Sequence, residues 1–218
     1  MKKIILLLIV LFLSTAFGQE LTIDSSGYKL QNYYLGLNVE NLWIAGSHVD
    51  WETGQPTDPG TRHENKTHCS AFVAAACCRL QIYILRPPEH TQSLLANAQF
   101  EWLTTEEAHN NGWVPISDKD IYKILFKAQE LANKGFIVVA VCENPDPMES
   151  GHIALVMPGG ISKVKIYEDG PFVIQAGAKN YNSAPLKLGF HRHIENWPEK
   201  NIMFYYNKNI VNFENDSN

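Results

Sequence analysis

"HENKTHCSAFVAAACCRL", residues 63–80, decides the reading of this chain, because a polar run becomes a smooth apolar stretch at one cysteine. Cys69, Phe72, Val73, Ala76, Cys77 and Leu80 recur at helical spacing, with Thr67 placed as an N-cap. Ala71, Ala74, Ala75 and Ala76 are small enough to let such a helix lie close against a neighbour. Pro87 and Pro88 bar its continuation. Cys69 therefore falls in the first turn of a largely buried helix. There it is a core thiol, half of a disulfide, a metal ligand or a nucleophile, and the rest of the chain has to decide between them.

Before this helix, residues 37–46, "LNVENLWIAG", read as a short helix stopped by Gly46, and residues 47–66 as a long surface loop. After it, residues 91–105 read as a second helical segment. Residues 117–135, "SDKDIYKILFKAQELANKG", form the clearest helix. Its stripe is Ile121, Ile124, Leu125, Ala128 and Leu131, it starts in a capping box of Ser117 and Asp120, and Gly135 closes it. The pattern then changes. "FIVVAVC" (136–142) and "HIALVMP" (152–158) are continuous apolar runs suited to buried strands. "KVKIY" (163–167), "FVIQAGA" (172–178) and "NIMFYYNK" (201–208) read as further strands. Helices followed by a mainly antiparallel sheet make an α+β domain.

Residues 1–18 have the form of a secretory signal peptide. Lys2 and Lys3 supply the charge, Ile4 to Leu13 the apolar core, and Ser14, Ala16 and Gly18 the small residues. Residues 19–218 are then one exported domain, secreted or periplasmic, expected to be a monomer with no stable membrane anchor after cleavage. The formal charge is -5, and loss of Lys2 and Lys3 makes the remainder about two units more negative, which argues against nucleic acid as partner. Four cysteines in 218 residues are too few for a disulfide framework. A bridge from Cys77 or Cys78 to Cys142 is one option, with Cys69 unpaired.

A thiol attacks as thiolate, and the N-H groups and dipole of a helix start favour that charge. The nucleophile also needs an imidazole, and a third polar group to orient it. His152 is the best imidazole, because it heads an apolar strand that fixes its backbone. Ala154 and Val156 share its face by alternation, and a helix packed there would bring Cys69 to the ring. Gln175, late in the strand 172–178, and Asn180, just beyond it, are the two candidates for the third group.

"KTHCSxF" opening a helix, "GHIALV" on a strand and "FVIQAGAxN" on the next are together similar to the papain-like cysteine peptidase superfamily of cell-wall hydrolases, which includes the NlpC/P60 and CHAP amidases and endopeptidases. The likeness spans roughly residues 66–180. It implies a papain-like fold with N-terminal helices on the sheet, Cys69 as nucleophile, His152 as base and a polar residue on the following strand. It also implies peptidoglycan or muropeptides as substrate and no cofactor. CHAP-type members carry Glu and Asn in the third region and NlpC/P60 members a second His, so Gln175 and Asn180 are departures.

Trp51, Tyr83 and Trp102, with Ser70 beside the sulfur, are candidate substrate-groove residues, and packing aromatics are the plainer alternative for the three rings. Asn97 and Gln99 are polar positions in an apolar helix. The chain has eight histidines, with His63 and His68 near the loop and His191 and His193 alternating, but it has no HExxH and no CxxC. No metal is expected. Ser70 lacks a GxSxG setting for a nucleophile. The expected activity is hydrolysis of a peptidoglycan amide, at a stem-peptide bond or the N-acetylmuramoyl-L-alanine bond. A non-catalytic secreted binding module and a cysteine acyltransferase on the same scaffold are the alternatives.

Overall fold

A computed structural model of the chain describes residues 20–61, 66–198 and 201–211. The segment read as a signal peptide, His63 and the polar tail lie outside the described residues. Within them are seven helices: α1 (Ser25–Gly36), α2 (Cys69–Arg79), α3 (Leu95–Leu103), α4 (Glu106–Asn110), α5 (Ile121–Asn133), α6 (Lys163–Asp169) and α7 (Leu186–Gly189). Six strands, β1 (Trp113–Pro115), β2 (Val138–Cys142), β3 (His152–Val156), β4 (Phe172–Gln175), β5 (Tyr181–Pro185) and β6 (Met203–Asn207), form one sheet in the order β1-β6-β2-β3-β4-β5. Every neighbouring pair is antiparallel. The chain is α+β.

β2 and β3 lie inside the sheet and every residue of both is buried. That is why they read as unbroken apolar runs instead of alternating ones: both faces are covered. On one face, Val139, Val141, Ile153, Leu155 and Ile174 pack with α2, including Phe72 and Ala74. On the other, Val138, Ala140, Ala154 and Val156 pack with Leu125, Ala128 and Ala132 of α5 and with Leu186 and Phe190. The expected placement of α2 is thus corrected. It lies on the Ile153/Leu155 face, opposite to the Ala154/Val156 face. Both sets are apolar, so alternation along β3 carries no information about which one meets which helix.

Four local expectations are also corrected. Residues 37–46 are turns, with Asn38 at φ 56° and Trp43 at φ 52°, outside helical geometry. Trp43 is fully buried there, its Nε1 donating to Trp51 O at 3.0 Å and its ring edge-on to Phe72 at 5.2 Å. "KVKIY" is helix α6 rather than a strand. Ser162 caps it by accepting from Lys165 N, and only Ile166 is buried. In α5 the cap is Asp120 alone, accepting from Tyr122 N at 3.0 Å, and Gly135 at φ 86° ends the helix. Helix α3 starts later than expected, at Leu95.

Candidate functional site

Cys69 is the first residue of α2, preceded by His68 in non-helical geometry, and Phe72 N donates to His68 O at 2.9 Å to close the first turn. Thr67 was the expected cap; His68 holds that position and its side chain caps nothing. Instead its Nε2 donates to Ser47 O at 2.8 Å and anchors the preceding loop. The thiol is 2% exposed. Burial pushes its pKa up, while the backbone N-H groups of Ile153, Ser70 and Cys69 and the Ser70 hydroxyl, all directed at the sulfur, pull it down. Burial prevails, so the resting group is a neutral thiol surrounded by donors that favour its anion. None of the four cysteines forms a disulfide.

His152 opens β3 opposite Cys142. Its ring is 5% exposed and lies edge-on to Phe190 at 4.6 Å and parallel, within 1°, to His193 at 5.4 Å. Nε2 is 2.9 Å from Gln175 Oε1. Gln175 sits at the end of β4, and its own Nε2 donates to Lys179 O at 3.4 Å, which orients the amide with its oxygen toward the ring. An amide oxygen only accepts, so His152 carries its proton on Nε2 and keeps a lone pair on Nδ1. Burial pushes the His152 pKa down to about 4 against that hydrogen bond. His193 is also pushed down to about 4, by burial first and then by His152, His191 and Arg192. Both imidazoles are therefore neutral at pH 7.

Space for Gln175 comes from two glycines. A Cβ on Gly189 would stand 2.7 Å from Gln175 Oε1. One on Gly177 would stand 3.2 Å from Gln175 Nε2 and 3.4 Å from His152 Cε1. The strand entering His152 is held from α3. Asn97 Oδ1 accepts from Gly151 N at 2.7 Å and Asn144 N at 3.2 Å, and Asn97 Nδ2 donates to Glu149 O at 2.9 Å. Gln99 is fully buried and its Nε2 donates to Leu85 O at 2.9 Å and Ser70 O at 3.3 Å, tying α3 to the first turn of α2.

Thiol and imidazole approach the start of β3 from its two faces. The sulfur comes from the α2 side, where it meets the N-H of Ile153, the residue next to His152. The ring packs on the α7 side with Phe190. A cleft of about 290 Å³ opens at this strand end, and Thr67, His152, Gln175, Lys179, Arg192 and His193 are among its lining residues.

Other candidates fall elsewhere. Asn180 Nδ2 donates to Val39 O at 2.6 Å, Leu42 O at 2.9 Å and Trp43 O at 3.4 Å, and its Oδ1 accepts from Gly177 N at 3.1 Å. It pins the segment after α1 to the turn after β4 and leaves the imidazole to Gln175. Trp51 is partly buried and packs at the edge of the core. Tyr83 and Trp102 pack edge-on at 5.4 Å, with Trp102 7% exposed. None of these three aromatics lines the cleft at His152. Ser70 faces the sulfur.

Among the described residues, no group of three or more His, Cys, Asp or Glu is arranged to hold a metal. Likewise, no helix among them is long and apolar enough to cross a membrane. Phe190 and His193 are the site residues that sequence reasoning missed. The alternation in "FHRH" raises only the question of a metal pair, and nothing in its spacing announces a stacking partner for His152. No protein-family model matches the chain, and no curated protein matches it.

Proposed function

We propose that this chain is an exported cysteine hydrolase on a papain-like scaffold that cleaves an amide bond of peptidoglycan, in the stem peptide or at the N-acetylmuramoyl-L-alanine link. The observations that carry the reading are the 2.9 Å His152–Gln175 contact, which orients the imidazole at the head of β3, and a helix-start thiol ringed by N-H donors, one of them from Ile153, the next residue of that strand. In this mechanism Nδ1 of His152 takes the thiol proton, and the sulfur attacks the amide carbonyl carbon. Negative charge on the carbonyl oxygen is accepted by N-H groups at the α2 start, that of Cys69 among them. Collapse breaks the C–N bond as His152 returns the proton to the leaving amine. Water, deprotonated by the same ring, then releases the acyl group and restores the thiol.

The neutral resting pair suits this sequence. His152 is unprotonated and so able to accept at neutral pH, and the N-H donors around the sulfur offset part of what burial costs the thiolate. Peptidoglycan as substrate rests on the sequence likeness and on the export signal read in residues 1–18. The test is digestion of purified sacculi by the full chain, with the new amino and carboxyl ends identified by mass spectrometry. Paired new ends at one amide type, absent with Cys69→Ala, are expected. Unchanged sacculi, or equal release by Cys69→Ala, would remove the reading.

A further inference from the structure

We propose that Asn97 and Gln99 are positioning residues for the thiol and the imidazole, and that α3 is the bar that sets one against the other. The inference rests on Cys69 and His152 being the reacting pair.

The two side chains are polar positions in an apolar helix, and each is tied to the residue beside one member of the pair. Asn97 Oδ1 accepts from Gly151 N at 2.7 Å, and Gly151 precedes His152. Gln99 Nε2 donates to Ser70 O at 3.3 Å, and Ser70 follows Cys69. Positions two apart on a helix are about 200° apart around its axis, so one amide serves the β2–β3 connection and the other serves α2. Leu95, Ala96, Trp102 and Leu103 are buried at the two ends of α3, so apolar packing anchors the bar that carries both amides.

Packing alone holds the thiol loosely along the strand. α2 carries Ala71, Ala74, Ala75 and Ala76, all buried, and such small side chains permit close approach but interlock weakly against a shift along the axis. Hydrogen bonds are directional, and a misplacement of about 1 Å in a reacting group can cost about a hundredfold in rate. Gln99 fixes its own amide with a second bond, to Leu85 O at 2.9 Å. Asn97 holds both ends of the loop before His152, accepting from Asn144 N at 3.2 Å and donating to Glu149 O at 2.9 Å. The approach is close enough to require glycine at 151, where a Cβ would stand 2.6 Å from Asn97 Oδ1. Neither amide is among the residues lining the cleft at His152, so each acts through its neighbour and not on substrate.

Alkylation by iodoacetamide in the full chain, read on the Cys69 peptide by mass spectrometry, tests this with and without His152. The sulfur bonds to the methylene carbon of the reagent, iodide leaves, and the thiol proton passes to His152. Asn97→Ala and Gln99→Met are each expected to lower the rate constant about three- to tenfold, and to have no effect once His152 is replaced by Ala. Asn97→Asp keeps the acceptor for Gly151 N and Asn144 N, and is expected to stay within about twofold of the unaltered chain. Equal falls with and without His152 would make the amides ordinary supports of the fold and overturn the assignment. An unchanged rate with His152 present would overturn it too. Gln99→Met, which keeps the shape of the side chain, decides the point on the same terms if Asn97→Ala does not fold. A rate insensitive to His152→Ala overturns the reacting pair and this inference together. With a muropeptide, Gln99→Met is expected to lower kcat and to leave KM unchanged. A raised KM with kcat intact would contradict a positioning role.

Discussion

His152 Nε2 and Gln175 Oε1 lie 2.9 Å apart at the ends of two adjacent strands, and this contact assigns the tautomer of the imidazole. The ring is then an acceptor only at Nδ1. Gln175→Ala leaves the ring free to turn or to change tautomer, so kcat/KM on a muropeptide should fall by about ten- to a thousandfold. Asn180→Ala should act differently, because its amide serves carbonyls of Val39, Leu42 and Trp43. Its loss should cost about 1–3 kcal/mol of stability, with a smaller fall in kcat/KM. Melting temperature and kcat/KM measured on both variants decide the point. A larger activity loss for Asn180→Ala would move the orienting role away from Gln175.

Gly189 is a second handle on the same contact. A Cβ there would meet Gln175 Oε1 at 2.7 Å and Val173 Cγ2 at 2.9 Å. Gly189→Ala should push the Gln175 oxygen off the ring and lower kcat with little change in KM, since nothing that binds substrate is removed. A kcat equal to that of the unaltered chain would show that Gln175 is dispensable for orientation.

Stability should fall on the acid side. His152 and His193 are held down to about 4 in the fold, against an ordinary value near 6.5. Between pH 6.5 and 4 the unfolded chain binds protons that the folded one refuses, so stability is fully present above 6.5 and declines as pH falls through that window. The slope is at most about 1.4 kcal/mol per pH unit for each group. Urea denaturation at pH 7 and pH 5 should show a drop that is smaller in His152→Gln. No difference between the two proteins would mean that His152 is not neutral and buried.

On the proposed mechanism, His193 should set the acid edge of the activity profile. While it stacks on His152 it keeps water from that ring face, and the acid limb of kcat/KM should lie nearer 4 than 6.5. His193→Ala opens that face, so the limb should move up toward the ordinary histidine range. His193→Phe keeps the stack and should leave the limb low. A limb that is the same in all three proteins would reduce His193 to a bystander.

Much of this architecture was legible because burial on both faces writes a plain pattern. β2 and β3 are unbroken apolar runs, and the stripe from Ile121 to Leu131 set α5 within a few residues of its bounds. The same saturation hid which face of β3 meets α2, since Ile153 and Leu155 are as apolar as Ala154 and Val156. "KVKIY" alternates like a strand, yet one buried residue, Ile166, and the Ser162 cap suffice for a short helix. Leu37, Val39 and Trp43 are all buried, but from turns held by Asn180 and Gly54, contacts remote in sequence or requiring positive φ. β1 and β5 are short or partly exposed and left no run to find. At the site, Cys69, His152 and Gln175 could be proposed from their places at element ends. Phe190 and His193 arrive by a turn after α7, and only folding brings them to the ring.

The central claim is that Cys69 forms a thioester with substrate by giving its proton to His152. Rapid acid quench of the full chain with a purified muropeptide, followed by peptide mass spectrometry, tests it most directly. An added acyl mass on the peptide containing Cys69, absent in Cys69→Ala and formed at least about a hundredfold more slowly in His152→Ala, is the predicted result. Turnover retained by Cys69→Ala, or an acyl group carried by any other residue, would contradict it.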